Sequence, residues 1–179
     1  MDRDGTLIEE VGFLDRLDRI EVYPYSVDAV RLLNRAGFTV VVTTNQSGVA
    51  RGYFDEAFVD EAHRRLRGTF AAGGARIEAF YYCPHHPQGT VPAYRQVCEC
   101  RKPRPGLLQR AARELNLDPR RSFVVGDRSN DVEAGQAFGA ATVLVRTGYG
   151  SDATASTAGA ASAVAGDLIE AVSWILRQS

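Results

Sequence analysis

Runs of apolar residues alternate with amphipathic stretches along this chain, and the alternation predicts an α/β fold. Buried strands are predicted over the apolar runs 38–42, 77–82, 122–125 and 142–145. Apolar positions at helical spacing predict the intervening helices, with Ser26 and Asp167 as N-caps and Pro105 at a helix start. Residues 148–165 are rich in Gly, Ala, Ser and Thr, and we expect them to form a loop.

The order of these elements predicts a central parallel sheet with helices on both faces, a Rossmann-like three-layer sandwich. A length of 179 residues suits a single domain spanning residues 1–179. His63 falls within the helical pattern of residues 58–70 and is interpreted as a surface residue. Because ligands bind at the carboxyl edge of open α/β sheets, polar residues that follow the strands form the candidate site.

Composition narrows the classes of function. The formal net charge of −1 argues against a nucleic-acid-binding protein. No run of 18 apolar residues is present, so no transmembrane span is expected, and no signal segment is recognisable. We therefore expect a cytoplasmic monomer that acts on a small molecule, with neither nucleic-acid nor membrane partners.

Three carboxylates stand where catalysis is expected. Asp2 and Asp4 are separated by one residue, and Asp127 directly follows the strand that ends at Gly126. Carboxylates on adjoining loops form a hard-oxygen site that suits Mg²⁺. In such a site one aspartate can attack phosphorus and form an aspartyl-phosphate, while a second carboxylate handles the proton of the leaving group.

The donors around these carboxylates indicate a phosphoryl ligand. Twenty of the 21 basic residues are arginine, and the only lysine is Lys102. Lys102 either supplies a compact ammonium that the wide guanidinium of arginine could not replace, or is a single lysine without a function. Thr44 and Asn45 add hydroxyl and amide donors after another predicted strand. A cation, a lysine and neutral donors together suit the equatorial oxygens of a phosphoryl group.

All three cysteines and two of the three histidines fall in one short loop, about 83–100. Four of them supply three thiolates and one imidazole, the donor set of a structural Zn²⁺ site: Cys83, His85, Cys98 and Cys100. His86 is the alternative imidazole ligand. Zinc would fold a loop that otherwise lacks a core, and would hold Arg101 and Lys102, which follow it directly.

Four motifs, in this order, resemble those of the haloacid dehalogenase superfamily of phosphatases: Asp2-Arg3-Asp4-Gly5-Thr6, Thr44, Lys102, and Gly126-Asp127 with Asp131. The resemblance implies that Asp2 is the nucleophile and Asp4 the general acid/base, and that Thr44 and Lys102 hold the phosphoryl group. It implies that Mg²⁺ is bound by the Asp2 side chain, the Asp4 backbone carbonyl and Asp127, with Asp131 in support. No large cap domain is expected.

Three segments resemble more narrowly the D-glycero-D-manno-heptose 1,7-bisphosphate phosphatase family: Val42–Gly52, Cys83–Gly89 and Cys98–Pro103. The resemblance extends from Asp2 to about Gly148. It implies hydrolysis of one phosphate of the heptose bisphosphate, in the synthesis of nucleotide-activated heptose for lipopolysaccharide. It implies substrate contacts beyond Thr44 and Lys102, from Glu10, Gly12, Phe13, Asn45, Gln46, Ser47, Arg101 and, by its position, Arg128.

Two other interpretations stay open. Histidinol-phosphate phosphatases share the aspartates and a Cys/His zinc loop, although their loop is usually shorter between the histidine and the second cysteine pair. The other alternative is a zinc-stabilised binding module whose aspartates have lost catalytic activity.

The start of the chain carries a further expectation. In the superfamily a central strand delivers the first aspartate to the edge of the sheet, and here Met1 alone stands where the last residue of that strand is expected. We therefore expect a missing N-terminal segment of roughly five to ten residues, through truncation or a misassigned start codon. The alternative is a domain without its central strand, with an open slot in its core.

Overall fold

The computed structural model describes residues 1–178, in which helices and parallel strands alternate along the chain. The helices are Ser26–Arg35 (α1), Glu56–Ala72 (α2), Gly106–Leu115 (α3), Ser129–Phe138 (α4), Ala155–Ala160 (α5) and Leu168–Leu176 (α6). The strands are Val41–Asn45 (β1), Ala79–Cys83 (β2), Phe123–Gly126 (β3), Ala141–Val145 (β4) and Ala163–Ala165 (β5). The predicted α/β fold is therefore confirmed.

The strands form two parallel groups, one of β1 and β2 and one in the order β3-β4-β5. The main chain at the N-terminus joins them. The Met1 amino group donates to the Val41 carbonyl at 2.8 Å, and the Met1 carbonyl accepts from the Thr43 amide at 3.0 Å. On the other side, the Asp2 amide donates to the Val125 carbonyl at 2.8 Å. Behind this junction lies a cleft of about 570 Å³, lined by Met1 and by β1 and β3.

Helices cover both faces of the strands, as a three-layer sandwich requires. Neighbouring residues of β3 show this, because side chains alternate between the two faces of a strand. Val125 packs in the core shared by α1, α2 and α6, whereas Val124 packs with α3 and α4. Burial on both faces explains why the strands read as continuous apolar runs in the sequence.

Three local predictions are wrong. Ser26 does not cap α1; its hydroxyl is buried and donates to the Leu7 carbonyl at 2.8 Å. Residues 148–165 are not a loop throughout, since they contain α5 and β5, and β5 adds an edge strand next to β4. His63 is not on the surface but is 6% exposed in the core-facing side of α2. By contrast, Asp167 caps α6 as predicted, accepting from the Glu170 amide at 2.9 Å.

Candidate active site

The polar residues that follow β1 and β3 meet at one edge of the molecule, together with the first residues of the chain. They line a cavity of about 280 Å³. The structure brings to this cavity nearly all the residues predicted to act in catalysis or substrate binding: Asp2, Asp4, Glu10, Gly12, Phe13, Thr44, Asn45, Gln46, Ser47, Arg101, Lys102 and Arg128. Asp127 lies directly beneath, fully buried.

Three buried carboxylates form the floor of the site. Oxygens of Asp2, Asp127 and Asp131 lie within 4.8 Å of one another. Gly5 makes this approach possible: its φ is +73°, and a Cβ there would collide with the Asp127 carboxylate. The arrangement places three acidic groups in a space that excludes most water, so the ionised state of all three needs a compensating cation.

The protonation of these carboxylates reflects their crowding. Burial, followed by the charges of Asp2 and Asp131, raises the pKa of Asp127 to about 8. Burial also raises the pKa of Asp2 to about 6, against the opposing effect of Lys102. One Asp127 oxygen accepts from the Tyr149 amide at 2.8 Å, while the other is buried without a hydrogen-bond partner in the described residues. A buried, unpartnered carboxylate oxygen beside two further carboxylates fits a Mg²⁺ ligand set.

Lys102 is fixed beside Asp2 from several directions. Its ammonium donates to the Thr43 carbonyl at 2.8 Å and pairs with Asp131 and, at 2.9 Å, with Asp2. The Asn45 side chain bonds both the amide and the carbonyl of Lys102, each at 3.0 Å. Burial alone would lower the pKa of Lys102, but the charges of Asp131 and Asp2 outweigh it and raise the pKa above its usual range. The lysine is therefore a charged, immobile cation.

The Asp4 carboxylate is not one of the three clustered carboxylates and is surrounded instead by hydrogen-bond donors. Arg3 contacts both of its oxygens at 2.9–3.2 Å. The Gln46 amide donates to it at 3.0 Å, and the Thr44 hydroxyl lies 3.4 Å away. The Asp4 side chain is thus separate from the carboxylates that could hold a metal, which agrees with a role for its backbone carbonyl alone at that metal.

Charged and aromatic residues form the rim of the cavity, and two of them, Arg51 and Tyr149, are not among the predicted substrate contacts. Arg128 pairs with Glu10 at 3.0 Å and lies 3.6 Å from the centre of the Tyr149 ring. Elsewhere on the rim, Arg51 Nη2 lies 3.3 Å from His86 Nε2. Arg51 and Tyr149 have only a weak signal in the sequence, because isolated arginines and tyrosines in loops carry no spacing pattern. Three arginines make the rim cationic: Arg51, Arg101 and Arg128.

The predicted zinc ligands come together beside this rim. The three sulfurs of Cys83, Cys98 and Cys100 are 3.1–3.5 Å apart, and His85 Nδ1 lies 3.3 Å from the Cys100 sulfur. All four donors lie within 4.8 Å of one another, which fits a tetrahedral Zn²⁺ site. His86, the alternative ligand, instead faces Arg51 and accepts from the Gln88 amide. The Arg101 guanidinium donates to the His85 carbonyl at 3.3 Å, linking the loop to the cavity.

Comparisons with known proteins agree with this geometry. An HAD-hydrolase-like family model matches residues 99–171. The D-glycero-beta-D-manno-heptose-1,7-bisphosphate 7-phosphatase of Escherichia coli (strain K12) is 44% identical over 149 residues, covering 83% of this chain and 78% of that protein. The enzyme of the same name from Salmonella typhi is 41% identical, covering 99% of this chain and 94% of that protein. The chain belongs to the haloacid dehalogenase-like family that includes these phosphatases.

Solved structures lead to the same family. The D,D-heptose 1,7-bisphosphate phosphatase of B. bronchiseptica, in complex with magnesium and phosphate, superimposes with a TM-score of 0.86 at 33% identity, covering 99% of this chain and 97% of that one. The corresponding enzyme from Burkholderia thailandensis gives a TM-score of 0.70 at 31% identity, covering 98% and 95%. The haloacid dehalogenase resemblance is thereby confirmed, and the chain is a phosphatase.

Among the helices of residues 1–178, none combines the length and the apolar character that crossing a bilayer requires.

Proposed function

We propose that this phosphatase removes the 7-phosphate of D-glycero-D-manno-heptose 1,7-bisphosphate through an aspartyl-phosphate intermediate, as a step in nucleotide-activated heptose synthesis. One observation carries the proposal: a nucleophile paired with a fixed lysine lies in the same cavity as a rim of arginines. The first arrangement suits the phosphoryl group that reacts, and the second suits an additional anion on the same substrate. The names of the relatives supply the sugar and the position of the phosphate.

In the first step, an Asp2 carboxylate oxygen attacks phosphorus while the bond from phosphorus to the sugar oxygen breaks. Lys102, 2.9 Å from Asp2, orients the nucleophile and neutralises charge on the phosphoryl oxygens. The Thr44 hydroxyl donates to the same group. Protonated Asp4 gives its proton to the departing sugar oxygen, which leaves as an alcohol. The Asp2 side chain, Asp127 and the Asp4 backbone carbonyl would hold Mg²⁺, which would supply further positive charge for the phosphoryl oxygens.

In the second step, water attacks the phosphorus of the aspartyl-phosphate. Asp4, now a carboxylate, accepts the proton of that water, and the bond from phosphorus to the Asp2 oxygen breaks. Inorganic phosphate leaves and Asp2 returns to its starting state. The substrate-binding rim comprises Glu10, Gly12, Phe13, Asn45, Gln46, Ser47, Arg101 and Arg128. Zn²⁺ on the cysteine loop has a structural role in this proposal.

Product analysis tests the proposal. The purified protein, with Mg²⁺, is incubated separately with the α and β anomers of the bisphosphate, and ³¹P NMR follows which resonance is lost. We expect loss of the 7-phosphate and survival of the 1-phosphate. Histidinol phosphate serves as the competing substrate, and Asp2→Asn as the inactive control. Faster turnover of histidinol phosphate would assign the chain to the alternative activity, and no release from any of them would indicate an impaired module.

A further inference from the structure

His63 is a buried histidine that the proposed reaction does not use. It lies on α2, with its ring stacked 4.7 Å from Phe80. Among the described residues its one polar contact is with Arg3, whose Nη1 lies 3.3 Å from His63 Nε2. Because a guanidinium can only donate, Nε2 must accept this hydrogen bond, and the ring must be neutral with its proton on Nδ1. Burial and the charge of Arg3 lower the pKa of His63 to about 3, which agrees with a neutral ring.

Arg3 is the centre of this arrangement. Its side chain is 2% exposed, so its guanidinium depends on protein partners to satisfy its donors. Nε and Nη2 contact the Asp4 carboxylate, Nη2 also donates to Gln46 at 2.9 Å, and Nη1 meets His63. Gln46 in turn donates to Asp4 at 3.0 Å. Each of the three guanidinium nitrogens therefore has a partner, and these contacts fix the plane of Arg3 with respect to Asp4.

We propose that Arg3 is a positioning residue that sets the orientation of the Asp4 carboxylate, and that His63 acts through Arg3 as the acceptor that holds its far edge. The proposal rests on the acid/base role of Asp4 in the proposed function. In the ion pair of Arg3 and Asp4, Asp4 is the partly exposed member, with 19% of its side chain accessible. Its carboxylate therefore needs a fixed partner to keep it oriented toward the leaving oxygen. Without His63, Nη1 would lose its buried acceptor, and Arg3 would turn toward another partner and take Asp4 with it.

The chemistry predicts which step depends on this support. Asp4 must place a proton on the sugar oxygen as the phosphorus–oxygen bond breaks, and must later accept a proton from water. A sugar alcohol is a poor leaving group and needs the proton, whereas nitrophenolate leaves without it. Misplacing Asp4 therefore slows the sugar substrate more than p-nitrophenyl phosphate. Substrate binding should change little, because in the described residues the rim arginines bond His86, His85 and Glu10 rather than Arg3 or His63.

The test compares His63→Leu, which removes the acceptor, with His63→Gln, whose side-chain oxygen can take the place of Nε2. Val59→Ala is the matched control: Val59 is buried on the same helix but carries no polar group to contact Arg3. For the heptose bisphosphate we expect kcat to fall about 10-fold in the Leu variant, with KM unchanged within about twofold, and to be largely restored in the Gln variant. With p-nitrophenyl phosphate as substrate, the kcat of the Leu variant should fall by a smaller factor than with the heptose bisphosphate.

Several results would overturn the inference. These are an unchanged kcat in His63→Leu, an equal loss in the Leu and Gln variants, a rise in KM alone, or an equal loss with both substrates. Loss of kcat in Val59→Ala would show that general loosening of α2 is sufficient. If the Leu variant does not unfold cooperatively, His63→Met replaces it. A wild-type protein without phosphatase activity would contradict the proposed function instead, so the two failures are distinguishable.

Discussion

At the scale of single residues, the two aspartates of the first motif have opposite surroundings. Asp2 is buried against Lys102 and the acidic floor, where it has a cation at 2.9 Å. Asp4 is partly exposed and surrounded by the donors of Arg3 and Gln46. A fixed, charge-paired carboxylate suits attack on phosphorus, and a carboxylate open to the cavity suits proton exchange. Their environments therefore divide the two roles as the proposed mechanism requires.

Replacing the nucleophile tests this division. We expect Asp2→Asn to reduce phosphate release at least about a thousandfold, because an amide oxygen cannot form the aspartyl-phosphate. The fold should persist, since asparagine has nearly the same shape and removes a buried negative charge. Phosphate release and thermal unfolding are measured together, with Asp60→Asn on the exposed side of α2 as the matched control. Wild-type turnover in Asp2→Asn would rule out the mechanism.

The pKa of Asp127 has a consequence for stability. In the folded protein it lies at about 8, well above the usual 3.8 for an aspartate, and that of Asp2 lies at about 6. Between pH 4 and these values the folded protein holds protons that the unfolded chain has released. Without metal, these two groups therefore make the free energy of unfolding fall as pH rises from about 4 to 8.

Magnesium should reverse this loss, because it takes the place of the bound protons. We expect added Mg²⁺ to raise the unfolding temperature more at pH 8 than at pH 5.5, where protons compete for the same oxygens. Differential scanning fluorimetry with and without Mg²⁺ at both pH values measures the effect. In Asp127→Asn the Mg²⁺-dependent increase should largely vanish. Equal increases at the two pH values, or a full increase in that variant, would contradict the assignment of Asp127 as a ligand.

At the scale of elements, the cysteine loop is tied to the catalytic edge at two places. Arg101 bonds the carbonyl of His85, and the Asn45 side chain clamps the main chain of Lys102. The loop has little apolar core of its own, since residues 84–100 contain only the short 3-10 turn Pro92–Tyr94. A metal that joins the two cysteine segments of the loop would thus also hold Lys102 in a fixed position.

Removing zinc should consequently lower activity without touching the aspartates. We expect one Zn²⁺ per chain in protein purified without chelator, measured by elemental analysis. A thiol-reactive reagent followed by chelation, and then restoration of Mg²⁺, should leave a protein with lower kcat and a loop more accessible to protease. Removal of a reversible reagent with excess thiol, followed by re-addition of Zn²⁺, should restore both. Cys98→Ser offers a genetic counterpart. Protein that never contains zinc, or that keeps full activity after losing it, would refute this prediction.

Elements with strong local patterns were predictable from the sequence, and elements defined by tertiary contacts were not. The apolar runs locate β1 to β4 to within a few residues, because buried parallel strands need no polar positions. β5 escaped detection because three residues of alanine and valine become a strand only by pairing with β4. Burial of His63 was detectable: with Val59, Ala62, Leu66 and Phe70 it follows the i, i+3, i+4 spacing of one helix face.

Within the site, the residues that could be predicted have side chains that take part in phosphate chemistry themselves. The residues that were missed act by positioning other side chains. Asp2, Lys102 and Asp127 could be selected because carboxylates and a unique lysine suggest phosphate chemistry on their own. Arg3 gave no such signal, although it stands between the two aspartates. Its importance depends on a guanidinium turned inward, and no spacing rule distinguishes an inward arginine from an exposed one.

At the scale of the whole molecule, the two groups of strands meet at a junction formed by Met1 and the nucleophile Asp2. In the described residues, main-chain hydrogen bonds of Met1 and Asp2 bridge β1 and β3, and the cleft behind this bridge is lined by apolar and polar residues from both groups of strands. The Met1 amino group is buried there beside Lys102. Burial and that charge lower its pKa to about 6. An amide would make the same hydrogen bond to Val41 and, unlike the amino group, would never carry a charge beside Lys102.

An extended apolar segment joined to Met1 should therefore stabilise the protein and raise its activity. Five β-branched residues would run parallel to β1 and β3, pair with both edges, and bury their side chains in the cleft. A gain of about 2–3 kcal/mol would raise the unfolding temperature by roughly 4–12 °C in a chain of this size. Turnover should rise because Asp2 would be anchored on both sides. A Gly/Ser extension of equal length is the control. If the apolar extension were no more stable and no more active than that control, the cleft would not accept a strand, and Met1 alone would be sufficient to hold the nucleophile.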